Sequence, residues 1–445
     1  MSGSDDESSV PSLDRQIGIE SYSTKFKGVG GRIRRSRSDF LVEEVLDSGT
    51  RSKISEKPSQ SNRYPVYRLM KEGVDTLHAL QQVEKRLGWQ ATYLGLKDAD
   101  AKTVQYISPK GLRGGDAPVS VEVSAKVSLK IEGYLDGLLT RRSLAGNRFT
   151  IRVVDVQCGS KVVEAAGGEL KRAVEELAVP NFFGYQRFGA KRPVNHLVGR
   201  ELLRGRFEEA VMTFLTYPSI GEDAETLELR EGMQNPARYP SLLEHVDRRM
   251  DIERRMIEVL ISHPDDWIRV LRSVPLTVRR LFINSYQAFL FNKVVSEALK
   301  EEGVALTEAD EDNDVYGVIG SDEKSSSGIR RGRKNLVEKP GEKVLPLIQM
   351  VGYAYRAGGG RFDRITQKVL VEEDVTPRMF YIKEMPELSM EGGFRTPSLL
   401  VDDLEVKTEP EESACLLRFN LAKGSYATVL LRELMKPSDP VSAGF

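Results

Sequence analysis

The chain has 445 residues, 40% hydrophobic and 29% charged, a globular composition in a length that exceeds one compact core, so roughly two or three domains are expected. Its net charge of −1 is not the bulk signature of a nucleic-acid binder, and no run of about 18 apolar residues exists to cross a membrane as a helix. The first twenty residues carry Asp5, Asp6, Glu7 and several serines, with no apolar core, so no secretory leader is expected.

Residues 1–14 are polar, Ser-rich and acidic, and read as a disordered tail. A strand is predicted within 33–46 around Phe40-Leu41-Val42, a Ser/Lys-rich mobile loop over 48–62, and a second strand over Tyr64 to Met70. Asp75 or Thr76 can cap a helix whose apolar face is Leu77, Leu80, Val83 and Leu87, and Gly88 sits where such a helix stops. Short apolar pieces follow at 91–94 and 104–108. Val119, Val121, Val123, Ala125, Val127, Leu129 and Ile131 alternate with mostly polar residues, the period of one long or two short half-buried strands. A strand over 149–154 and a helix over 162–177 come next. After Pro180, residues 196–216, 240–261 and 276–300 read as long amphipathic helices, 306–342 as a polar excursion, 418–421 as a last strand and 425–436 as a last helix capped by Ser425. Strands, then helices, then a returning strand and helix suggest α+β with an inserted domain.

Several residue groups bear on function. Cys158 and Cys415 stand in unrelated contexts, which fits a reducing cytoplasm, and His78, His196, His245 and His263 lie too far apart for a metal site. Basic runs interrupt the near-neutral chain: six basic residues and no acid from Lys25 to Arg37, then Arg141, Arg142 and Arg148, then Arg330, Arg331, Arg333 and Lys334. A charge run is usually a solvated face; several in one chain lean toward an anionic partner.

Four segments stand out for chemistry. Gly95-Leu96-Lys97-Asp98, with Ala101, Thr103 and Gln105, puts a Lys-Asp pair on a loop behind a strand, where the aspartate can act as base or nucleophile, although Lys-Asp after Gly is also a common turn. Gly146-Asn147-Arg148-Phe149 offers an amide and a flat ring, or simply a turn and a core residue. Asn181-Phe182-Phe183-Gly184-Tyr185-Gln186-Arg187-Phe188-Gly189 interleaves four aromatics with Gln and Arg, suited either to RNA or to a packed junction. Gly424-Ser425-Tyr426-Ala427-Thr428 leads to Arg432-Glu433. Dinucleotide, phosphate-loop and Gly-x-Ser-x-Gly templates all fail, so no nucleotide cofactor is expected.

The four segments occur together and in this order, and on them the chain resembles the TruD family of tRNA pseudouridine synthases, in its archaeal-type form, from about Ile17 to Glu433. The resemblance implies a catalytic domain with a mixed or antiparallel sheet in 15–178 and 399–445, and an inserted, mainly helical domain in 179–398. It implies Asp98 as catalytic carboxylate, attacking C6 of the uracil or C1′ of the ribose, or supporting a glycal route; the residues do not choose among these. Lys97 would hold that charge and meet the RNA backbone, Asn147 would bond the target base and Phe149 would stack on it. Arg34, Arg35, Arg148, Arg187 and Arg432 become candidate RNA contacts, tRNA the partner and uridine 13 the target. No cofactor or metal, a monomer and a cytoplasmic location are the accompanying expectations. Two rival readings are a non-catalytic RNA-binding protein, whose RNA handling survives loss of Asp98, and a hydrolase with paired carboxylates, which needs a second acid against Asp98, a role to which the nearby Asp100 is not matched.

Overall fold

The computed structural model describes residues 10–61, 63–97, 99–114, 117–246, 250–320, 329–333, 336–338 and 342–445. Its main sheet has nine strands among these residues: β1 (Phe40–Leu46), β2 (Tyr64–Glu72), β3 (Ala91–Tyr93), β4 (Lys102–Pro109), β5 (Ser120–Ser124), β6 (Val127–Leu135), β7 (Leu144–Val153), and two that form late in the chain, β12 (Val401–Glu409) and β13 (Ala414–Ala422). Their order is β12-β13-β7-β1-β4-β2-β6-β5, with β3 beside β4. The β1–β4 pair is parallel and every other pair is antiparallel, so the sheet is mixed. The alternating run from Val119 resolves into β5 and β6, joined by a tight turn.

Helices close over the sheet. The helix Thr76–Leu87 starts where the Asp75 carboxylate accepts the Leu77 and His78 amides, and stops at Gly88 with φ 71°. Its Ala79 and Val83 pack on Tyr67, Leu69 and Leu129. The helix Ser160–Glu175 lies against β12, and Gly167 permits the approach, because a Cβ there would stand 3.0 Å from Val406. The last helix, Ala427–Met435, is buried almost throughout; Tyr426, not Ser425, occupies its cap position, with no side-chain cap bond.

Between Val179 and Leu399 the chain makes a long excursion whose ends lie side by side: Leu399 N donates to Val179 O, and Asn181 N to Pro397 O. The expected helix over 196–216 is broken into Asn195–Leu203 and Phe207–Thr216, with Gly205 at φ 71° between them. Helices Asp251–Ser262, Trp267–Ser273, Leu276–Leu299 and Arg361–Glu372 follow. A second antiparallel sheet stands here too, in the order β11-β10-β8-β9: β8 (Val315–Gly320), β9 (Arg330–Arg331), β10 (Glu342–Met350) and β11 (Gly393–Arg395). The excursion is therefore helices plus a sheet. Lys334 of the third basic run lies outside the described residues.

The N-terminal expectation also changes. Residues 1–9 lie outside the described residues, but Ser12–Gln16 is a helical turn with Leu13 and Asp14 buried. The chain then runs along the helix Leu276–Leu299, where Asn292 donates to Ile17 O and Ser296 to Gly18 O.

Candidate active site

Register builds the site. On the central strands Glu44 is opposite Asn147, and Asn147 is opposite Leu421; one pleat along, Val42, Phe149 and Phe419 form the same kind of row. Residues directly opposite share a sheet face, so the Gly-Asn-x-Phe segment and the acidic end of β1 look the same way. Gly146 is required by the close passage of β13: a Cβ there would sit 2.1 Å from Leu421 O.

The loop after β3 is drawn onto this face. The Glu44 side chain is fully buried; one of its oxygens accepts from Lys97 Nζ at 2.9 Å and the other from Tyr106 N at 2.8 Å. Around it, Gln105 Nε2 donates to Gly95 O, Thr76 Oγ1 accepts from Lys97 N, and Lys71 Nζ donates to Lys97 O. Thr76 Oγ1 also donates to Gln105 Oε1, linking both anchors. Lys97 thus pairs its charge with the buried Glu44 carboxylate. Asp98 lies outside the described residues; Asp100 is exposed.

A cleft of about 610 Å³ opens beside Asn147, between the β7–β13 end of the main sheet and the second sheet. Val45, Gly146 and Asn147 line one side and Leu345, Phe394 and Arg395 the other. Asn147 Oδ1 is buried there without a hydrogen-bond partner among the described residues. Buried polar atoms are normally satisfied, so this carbonyl is placed for an incoming donor such as an imide N–H.

The remaining candidates divide. Phe149 is 7% exposed, stacked on Phe419 at 5.3 Å and edge-on to Phe40 at 6.3 Å, so it is packing beneath the site rather than an open stacking face. The exposed ring in the cleft is Phe394, at 43%, which no sequence motif marked. Arg432 is 1% exposed and bonds Asp14 at 2.5 Å and Ser21 O at 3.1 Å; it holds the N-terminal segment and cannot reach a phosphate, correcting that expectation. Tyr185 Oη also donates to Asp14, at 2.5 Å, and Ser23 N, Thr24 N and Thr24 Oγ1 donate to Glu433. The third and fourth segments therefore form one packed hub, in which Gly184 is small because Thr428 and Tyr426 press on it. Arg34, at φ 57°, lies 4.1 Å over the Phe40 ring and donates to Gly444 O, and Arg35 pairs with Asp155 at 3.3 Å. Arg148 is exposed, with Nε on Asn420 Oδ1 at 3.3 Å. Arg187 is half-buried, its guanidinium 5.4 Å over Phe183 and its Nε unpartnered. No group of His, Cys, Asp and Glu able to hold a metal occurs among the described residues.

Comparison with known proteins shows the family. The family model described as tRNA pseudouridine synthase D (TruD) matches residues 16–434. Proteins named probable tRNA pseudouridine synthase D are 31% identical in Methanococcoides burtonii, over 96% of this chain and 98% of that one, and 32% identical in Pyrococcus abyssi, over 93% and 98%. A crystal structure from Methanosarcina mazei, described as that of the "Putative tRNA pseudouridine synthase D (TruD)", is 30% identical and superposes with a TM-score of 0.79, covering 96% of this chain and 98% of that one. Fold and comparisons together define a pseudouridine synthase, an isomerase. The chain belongs to the TruD family of tRNA pseudouridine synthases.

Proposed function

We propose that this enzyme isomerises uridine 13 of tRNA to pseudouridine, with Asp98 as the attacking carboxylate and without a cofactor. The observation that carries the reading is convergence. The residue immediately before Asp98 is bonded to Glu44, Glu44 is the cross-strand neighbour of Asn147, and Asn147 offers an unpartnered carbonyl at the cleft. Two segments about 50 residues apart in sequence meet at one spot.

The reaction breaks N1–C1′, turns the uracil and joins C5 to C1′; the proton leaving C5 is balanced by one gained at N1. Oxidation level and atom count are unchanged, so the chemistry asks for a carboxylate, a pocket and proton exchange. An aspartate at its ordinary pKa of about 3.9 is ionised at neutral pH. The uridine must first leave its stack, at a cost of a few kcal/mol that pocket contacts offset. Asn147 Oδ1 would accept from the uracil N3–H, and Phe394 offers an exposed ring at the entrance. The segments 15–178 and 399–445 would form the catalytic unit, with 179–398 as an insert facing it across the cleft.

The test is position and requirement. Unmodified tRNA transcripts with uridine 13, and the same transcripts with cytidine 13, are treated with enzyme in the presence of EDTA. Product at position 13 only, undiminished by EDTA, is expected. Product at another uridine refutes the position, and dependence on added metal refutes the cofactor-free reading.

A further inference from the structure

Arg395 ends β11 inside the cleft that Asn147 lines, and its environment is unusual for a charge. Its Nε donates to Asn181 O at 3.0 Å, one terminal nitrogen to Gly424 O at 2.9 Å and the other to Asn181 Oδ1 at 2.6 Å. The guanidinium lies 4.1 Å over Phe183 and 5.6 Å over Phe291. Every acceptor is neutral. Among the described residues no carboxylate lies within ion-pair distance of Arg395, nor of Arg187, which stacks on the same Phe183. Other arginines held in the protein interior are answered by acids: Arg432 by Asp14, Arg230 by Glu222 and Glu253, Arg361 by Glu301. Burial above all, opposed by Tyr426 and aided to a lesser degree by the Arg187 charge, draws the Arg395 pKa down to about 10, so the cation remains but is poorly solvated.

A half-buried charge whose acceptors are all neutral is poorly compensated, and an anion would complete it. With the second terminal nitrogen also donating to Phe182 O at 3.5 Å, one N–H of the nitrogen bonded to Gly424 O is left for a single charge-assisted bond to a phosphate oxygen. The cleft is shared with the proposed uridine site, so the anion that fits is a phosphodiester of the RNA strand. We propose that Arg395, seconded by Arg187, is a phosphate-binding residue that holds the backbone next to the nucleotide turned into the cleft. The inference rests on the proposed function, since it takes the cleft as the place where the target uridine enters. It explains why the cation-bearing signature around Arg187 and the return strand bearing Arg395 are tied together through Asn181. It also leaves Lys97 free to act on the Glu44 side alone.

The experiment combines a protein change with a charge change in the RNA. Affinity of a tRNA oligonucleotide is measured for the native chain and for Arg395→Gln, with the phosphate on either side of the target uridine replaced in turn by neutral methylphosphonate. Binding is read well below the unfolding temperature and over a salt series. The native enzyme is expected to lose on the order of tenfold affinity at one of the two sites, and Arg395→Gln to lose a similar amount on normal RNA, with a salt slope about one unit shallower. On the neutral linkage the variant should lose nothing more. Equal sensitivity of native and variant proteins to both methylphosphonates overturns the inference, because it reduces Arg395 to a structural bridge between Asn181 and Gly424. Pseudouridine formation by the native enzyme on normal tRNA is scored in parallel. Its absence counts against the function itself; its presence with equal sensitivities sinks only the phosphate contact.

Discussion

Glu44→Gln removes one half of the Lys97–Glu44 pair while keeping its shape. At 2.9 Å, with an effective dielectric constant of about 20, the attraction is about 6 kcal/mol before the cost of desolvating both groups. Measured losses on breaking such buried pairs are about 3–5 kcal/mol. The Lys97 side chain keeps 13% exposure and can turn partly to water, which places the loss near 3 kcal/mol. For a chain of 445 residues unfolding as one unit, an entropy of about 2 cal/mol/K per residue converts this to a fall in Tm of about 3 °C. The functional loss should be far larger. Lys97 directly precedes Asp98, and a displacement of about 1 Å at a reacting group costs on the order of 100-fold in rate. Single-turnover kinetics at 20 °C, where the variant is still folded, should give a rate reduced on the order of 100-fold with tRNA affinity within about twofold of native. Glu44→Asp should recover part of the rate. A variant with native single-turnover rate would refute the idea that this ion pair sets the position of the catalytic loop, whatever its Tm.

Three further outcomes follow from the same geometry. Asn147→Ala removes a carbonyl that has no partner among the described residues, so Tm should stay within about 1 °C while kcat falls at least tenfold; a large stability loss in thermal melts would mean the amide is structural. Arg432→Met should lower stability by about 3–5 kcal/mol, because buried Asp14 is left unpaired, yet leave the salt slope of tRNA binding unchanged; a shallower slope would restore it as a phosphate contact. His196, buried between Phe188 and Phe289, has its pKa lowered to about 4, first by burial and then by Arg200. Its neutral form is favoured in the folded state, so its stability contribution is complete above about pH 6.5 and is lost as pH falls toward 4, by about 3 kcal/mol in all. Denaturant unfolding between pH 7 and 4 should show that loss in the native chain and a flatter profile in His196→Phe.

Local signals and long-range ones fared differently in the sequence. The alternation from Val119 and the Asp75–Gly88 helix are written in periods and caps that act over a few residues, and both elements form as read. β8 lies inside the polar stretch 306–342, whose loops mask its short apolar run, and β10 only begins where that stretch ends, so no local pattern announces the second sheet. Arg432 and Glu433 are adjacent, which tells nothing of Asp14, 418 positions away, whose carboxylate makes Arg432 structural. The Lys97–Glu44 bond spans 53 positions and depends on β1 and β4 lying side by side, a pairing no local pattern announces. Phe149 stacks on Phe419 across the sheet, a neighbour 270 positions away that its own motif does not announce. Arg395 sits in none of the four segments; only the fold reveals that its acceptors among the described residues are all neutral.

The central claim is that Asp98 performs the isomerisation in the site where Lys97, Glu44 and Asn147 meet. Pseudouridine mapping of unmodified tRNA treated with native enzyme and with Asp98→Asn tests it most directly, with tRNA affinity measured for both. The account predicts pseudouridine with the native enzyme alone and closely similar affinities. Pseudouridine formed by Asp98→Asn at the native rate would contradict it.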